Sequence, residues 1–266
     1  METLMELEAK VKASLSVCKI FYPIVGGSTT ASGFRVGSRY IMTAAHVTNN
    51  FQKGLQNSDT YVIFNYKYDG IYKRKDKYLI KEVVYSNDET DIAVVELLDH
   101  QRVMPPHVTS FCSPVLDRSF HLIGHSKGNV METNLVTKII DKDDPKIKFC
   151  LDQLQRMSCQ HTGGKGYDTP PNDSVHNPYR FLFQCKFTKG ASGSPGIVLV
   201  GKTIYVTTVL LHGYPDWYYD PTMEVYKNNW LDEHCVQQGV NIMSVCEMMR
   251  ATHPSLCQDI FGKQQC

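Results

Sequence analysis

The sequence predicts an all-β-dominated chain with a helix at each end. Two series of short runs rich in β-branched and aromatic residues, bounded by Gly, Asn and Asp, predict antiparallel strands forming a barrel or a sandwich. A stretch holding Pro105, Pro106 and Pro114 over 99–118 separates the two series. Apolar residues at helical spacing mark both ends of the chain.

Residues 2–18 are rich in Leu, Glu, Ala and Lys, all good helix formers, and Leu4, Leu7, Val11 and Leu15 fall on one face. They predict a short amphipathic helix whose apolar face packs on the body. The first strand series is expected at 20–25, 31–36, 40–43, 60–66, 78–85 and 92–97. The second is expected at 120–123, 134–140, 146–151, 181–187, 196–200 and 203–211. Between them, 160–179 mixes glycines, prolines and polar residues, which predicts a long loop. Residues 235–251, with Val236, Val240, Met243 and Met248 on one side, predict a closing helix that Gly239 weakens.

Composition narrows the function. The chain has 266 residues, is 42% apolar and 21% charged and carries a net charge of +1, which argues against both disorder and a polyelectrolyte surface. Nine scattered cysteines without Cys-x-x-Cys pairs suit reduced thiols in a cytoplasmic or nuclear, non-secreted protein. The first dozen residues carry Glu2, Glu6 and Glu8 in place of a basic segment and an apolar run, so they do not read as a signal peptide. No run is long enough to predict a membrane span.

Three segments carry chemistry. In Lys189-Gly190-Ala191-Ser192-Gly193-Ser194-Pro195-Gly196 a serine sits among small residues, where glycines let backbone amides turn inward as hydrogen-bond donors. Alone, such a segment also reads as an ordinary turn. Tyr40 to Val47 is an apolar strand ending in Ala44, Ala45 and His46, which fixes an imidazole at a strand end. Thr90 to Leu97 sets Asp91 ahead of an apolar strand, partly buried yet able to point at a neighbour. His, Asp and Ser thus follow in order, 45 and 101 residues apart. A serine hydroxyl attacks only when an imidazole takes its proton, and that imidazole needs a fixed tautomer and a compensating charge.

These segments resemble the catalytic motifs of chymotrypsin-fold serine proteases. The resemblance implies two antiparallel β-barrels with an N-terminal helix over 1–19, a first barrel over 20–110, a second over 111–234, and a C-terminal helix and tail over 235–266. It implies His46 as general base, Asp91 as its orienting carboxylate and Ser192 as nucleophile, with the amides of Gly190 and Ser192 as oxyanion hole. Protein or peptide substrates follow, and no cofactor or metal. Within this group the chain is most similar to the intracellular protease module of the "family with sequence similarity 111" proteins. Ala31-Ser32-Gly33-Phe34, the triad motifs, His121-Leu122-Ile123-Gly124-His125 and Gln238 to Val245 carry that likeness. It implies self-cleavage, expected within 160–179, and work on chromatin and replication-fork proteins. The sliding-clamp box of that family is absent from this sequence.

Departures from the secreted proteases are informative. Val47 stands where they carry a disulfide cysteine, and Ala191 where they carry the aspartate that pairs with a freshly cut amino terminus. Ile24-Val25-Gly26-Gly27 looks like such a terminus, but 22 residues to His46 is too short a spacing, so a strand running into a glycine turn is expected. His212 and Gly213 fall where this fold lines its primary specificity pocket. A histidine there suits Glu or Gln side chains, whereas the intracellular relatives imply aromatic ones; both remain open.

Other candidates have plainer readings. His121 and His125 are spaced for a metal pair only on a helix, and a strand is expected there. Cys235, Cys246 and Cys257, eleven apart, read as packing. Basic and tyrosine residues between Tyr66 and Lys77 suit single-stranded nucleic acid, but Asp69-Gly70 marks a hairpin, and a solvated charged hairpin is the fuller account.

Overall fold

A computed structural model describes residues 3–49, 59–67, 76–98, 103–115, 118–136, 139–140, 177–211 and 236–262, with isolated positions in 51–55 and 145–159. Six strands, β1 (Val17–Ile24), β2 (Gly27–Val36), β3 (Tyr40–Ala44), β4 (Tyr61–Phe64), β5 (Lys77–Asn87) and β6 (Ile92–Leu97), close into a barrel in the order β1-β2-β3-β6-β5-β4. Seven more make a half-barrel: β7 (Phe120–Gly124), β8 (Glu132–Val136), β9 (Ile139–Ile140), β10 (Arg180–Gln184), β11 (Pro195–Val200), β12 (Thr203–Leu210) and β13 (Val236–Asn241), ordered β8-β7-β11-β12-β13-β10-β9. This is the expected mostly-β, two-barrel architecture with helices toward its ends. The glycine turn after Ile24 is found as expected, with Gly26 at φ +86° between β1 and β2.

Helix α1 (Leu4–Ser14) starts where Thr3 and Glu6 cap each other's backbone amides. Its packing overturns the expectation, however, because Leu4, Leu7, Val11 and Leu15 face solvent while Ala9 and Ser14 are buried. The short side chains let the helix lie close on the sheet, and the leucines do not.

The strand expected over 146–151 falls outside the described residues except for Lys148, which is helical, as are Pro145 and Asp152. One further expectation fails. The helix expected from 235 begins only at Ile242, because 236–241 pair as β13 with β10 and β12. Asn241 then caps α3 (Ile242–Thr252) by accepting from the Met243 amide, and α4 (Pro254–Phe261) follows.

Of these last helices, α3 lies against β12 and β13, and α4 reaches back to the first barrel. Asp259 accepts from the Ser38 amide at 3.0 Å and hydroxyl at 2.7 Å, and Phe261 lies 4.7 Å from Phe111 ring to ring. Cys246 and Cys257 meet between α3 and α4, sulfurs 3.9 Å apart and both buried. Cys246 is disulfide-bonded, a departure from the expectation of reduced thiols throughout. The loop expected over 160–179 and the basic hairpin near Asp69 fall largely outside the described residues.

Candidate active site

His46 is the second residue of α2 (Ala45–Thr48), the short turn that leaves β3. Pairing of β3 with β6 sets Ala44 opposite Ile92, so the residue before β6, Asp91, arrives opposite Ala45, next to His46. The Asp91 carbonyl accepts from the Ala45 amide at 2.8 Å. Its two carboxylate oxygens then take two donors from one residue, the His46 backbone N–H at 2.9 Å and ring Nδ1 at 2.8 Å. An ionised carboxylate only accepts, so Nδ1 carries the proton and Nε2 is left as the basic nitrogen. The Asp91 side chain is 9% exposed and the His46 side chain 34%, a sheltered charge behind an accessible ring.

Asp91 holds a left-handed backbone, φ +51°, tolerated best by Asp and Asn among residues with side chains. The turn that carries it is braced from the other barrel. Arg180 of β10 donates to the carbonyls of Asp88 and Glu89 at 3.2 and 3.3 Å, and Asn177 to Glu89 at 2.7 Å.

The Ser192 segment is pinned peptide by peptide. The Lys189 carbonyl accepts from the Lys127 amide at 2.7 Å; in a trans peptide the N–H points opposite, so the Gly190 amide faces away from Lys127. The Ala191 carbonyl accepts from the Ser194 amide at 3.0 Å and hydroxyl at 2.6 Å, which turns the Ser192 amide the other way. The Ser192 carbonyl accepts from the Ser32 amide at 2.9 Å, and the Gly193 amide donates to Leu210 at 2.7 Å. Among the described residues the amides of Gly190 and Ser192 donate to no acceptor, the state required of oxyanion donors.

Glycine is obligatory twice here. Gly190 has φ +95°, and a Cβ would sit 2.8 Å from the His125 carbonyl. Gly193 has φ +89°, and a Cβ would fall 2.1 Å from the Ser32 carbonyl oxygen. A Gly193→Ala variant is therefore expected to lose about 3 kcal/mol or more of folding stability, from backbone strain plus overpacking, read by urea unfolding.

His125 lies behind this segment with its side chain buried, Nδ1 3.1 Å from the Asn129 carbonyl. Nearby, Lys19 donates its ammonium to the Gly128 carbonyl and lies 4.0 Å from the centre of the Tyr66 ring. Burial pushes the His125 imidazole down to about 4. The unfolded chain takes up that proton near pH 6.5 and the fold excludes it, so this stability is complete above pH 6.5 and is lost as pH falls toward 4. Between pH 7 and 4 the wild type's stability advantage over His125→Asn is expected to narrow by about 3 kcal/mol in paired urea titrations. An unchanged difference would refute the account.

The structure brings His46 and Asp91 into direct contact and leaves the amides of Gly190 and Ser192 without an acceptor among the described residues. His212 and Gly213 lie outside the described residues. Sequence reasoning assigned no role to Ser32, Thr43 or Lys127. Ser32 lies inside the Ala31-Ser32-Gly33-Phe34 motif, and no neighbouring residue marks its hydroxyl. Among the described residues no cluster of His, Cys, Asp and Glu is arranged for a metal ion.

A family model described as "Trypsin-like peptidase domain" matches residues 31–202. No curated protein matches the chain. Among solved structures it is similar to the active form of the Rv3671c protease from M. tuberculosis, at 15% identity and a TM-score of 0.56 over 99% of this chain and 88% of that one. The inactive form of Rv3671c protease gives 14% and 0.55 over 94% and 95%. The thermostable serine protease AL20 from an extremophilic microorganism gives 16% and 0.50 over 86% and 92%.

Proposed function

The chain belongs to the trypsin-like peptidase family and is a serine endopeptidase of chymotrypsin fold, and from that premise we propose that it cleaves proteins or peptides through Ser192, His46 and Asp91. The observation that carries this reading is the two-point hold of Asp91 on His46, at 2.9 and 2.8 Å, together with the undonated amides of Gly190 and Ser192. Ser192 attacks the scissile carbonyl while His46 Nε2 takes its proton; the ring then gives that proton to the leaving amine. Water, activated by the same nitrogen, hydrolyses the acyl-enzyme. The two amides stabilise the oxyanion in each tetrahedral intermediate.

Dependence on a zymogen cut is not part of this proposal. Ala191 is buried with its amide on the Thr188 carbonyl at 3.0 Å and its carbonyl on Ser194, so internal bonds do what a buried ion pair does in secreted relatives. An intracellular setting is supported by the reduced thiols of Cys18, Cys112 and Cys257, and the Cys246 disulfide runs against it. Self-cleavage within 160–179 rests on the length and composition of that stretch, and kinship with the "family with sequence similarity 111" module on the sequence motifs. The decisive test is reaction of the wild-type chain with a fluorophosphonate and mapping of the adduct by mass spectrometry. An adduct on Ser192 is expected; an unreacted chain, or an adduct elsewhere, refutes the assignment.

A further inference from the structure

We propose that Ser32, a first-barrel residue, is the positioning residue that holds the oxyanion donors in catalytic register. The proposal rests on the reading of 189–196 as the nucleophile segment. Ser32 is fully buried. Its amide donates to the Ser192 carbonyl at 2.9 Å, and its hydroxyl donates to the Gly190 carbonyl at 3.1 Å. The same hydroxyl accepts from the His125 amide at 2.9 Å, so its one proton and a lone pair are both engaged. Its own carbonyl accepts from the Thr43 hydroxyl at 2.8 Å, and Thr43 lies three residues before His46 on β3.

Backbone and side chain of one residue thus grip two peptides of the segment. The amide fixes the Ser192–Gly193 peptide, and the hydroxyl fixes the Gly190–Ala191 peptide. The two donor amides belong to the neighbouring peptides, Lys189–Gly190 and Ala191–Ser192. Those are oriented by Lys127 and Ser194, both from the second barrel. Ser32 is therefore the tie, among the described residues, between the strand leading to the base and the peptides flanking the oxyanion donors. Its hydroxyl touches no substrate; it acts through Gly190. An alanine keeps the amide contact and loses the hydroxyl, leaving the Gly190 carbonyl and His125 amide buried without that partner.

The expected signature is a defect confined to the transition state. In Ser32→Ala, kcat on a peptide ester or amide is expected to fall about 10- to 100-fold with KM within about twofold, because removing an oxyanion donor outright costs 10²–10³ and displacing one costs less. Affinity for a peptide aldehyde, whose adduct carries an oxyanion, is expected to fall by a similar factor. Affinity for a peptide lacking an electrophilic carbonyl is expected to hold. Should Ser32→Ala fail to fold, Ser32→Cys replaces it, with a smaller loss in the same direction. Hydrogen–deuterium exchange over 188–194 gives a readout independent of turnover, and it is expected to rise in the variant at unchanged exchange of β5 and β6. Unchanged exchange, or a loss in KM alone, overturns the proposal. Raised exchange beside a wild-type chain that cleaves nothing supports the tie and overturns the enzymatic reading instead.

Discussion

Replacing Ser192 by alanine is expected to lower kcat by on the order of 10⁶, leaving only what binding and the oxyanion amides supply. The loss is large because the hydroxyl forms the covalent intermediate, and without it His46 has no proton to take and Asp91 no imidazolium to stabilise. The fold should not notice. Ser192 enters the described hydrogen bonds through its carbonyl, accepting from Ser32, and alanine keeps that carbonyl. Stability is expected to stay within about 0.5 kcal/mol. Steady-state turnover of a peptide substrate beside urea unfolding of the same preparation checks both statements. Retained turnover in a folded variant would remove Ser192 from the mechanism.

Asp91→Asn is expected to lower kcat by about 10⁴ at neutral pH with KM little changed. The geometry gives the reason. One carboxylate oxygen accepts from the His46 backbone amide at 2.9 Å and the other faces Nδ1 at 2.8 Å. In asparagine the single carbonyl oxygen is claimed by the backbone N–H, which always donates. The amide nitrogen then faces Nδ1 and makes it an acceptor, so the ring proton moves to Nε2. A protonated Nε2 cannot take the serine proton. Nitrogen-15 chemical shifts of the imidazole are expected to show the exchanged tautomer, and full activity with an exchanged tautomer would refute this account of Asp91.

Legibility followed the range of the interaction. The contact of His46 with Asp91 and the glycine-bounded turn at Ser192 are legible because each falls in a local pattern, an apolar strand ending in small residues or a run of glycines. The turn after Ile24 was readable for the same reason. Ser32 was not, since its four hydrogen bonds reach Thr43, His125, Gly190 and Ser192, and none shows in the residues around it. The solvent-facing leucines of α1 mark the limit of periodicity, which finds a helix but not the face that packs; Ala9 and Ser14 won by being small. Gln237 and Gln238 hid β13 behind a helical spacing of Val236 and Val240, although both glutamines are buried in the sheet.

The reach of α4 back to the first barrel also sets a sequence in time. A ribosome delivers His46 and Asp91 early, Ser192 later, and residues 242–261, whose Asp259 and Phe261 engage Ser38 and Phe111, after both barrels. A nascent chain therefore carries a base with no nucleophile through much of its synthesis. In order of synthesis the proposed base therefore precedes the proposed nucleophile, and the bonds of Asp259 to Ser38 form after both.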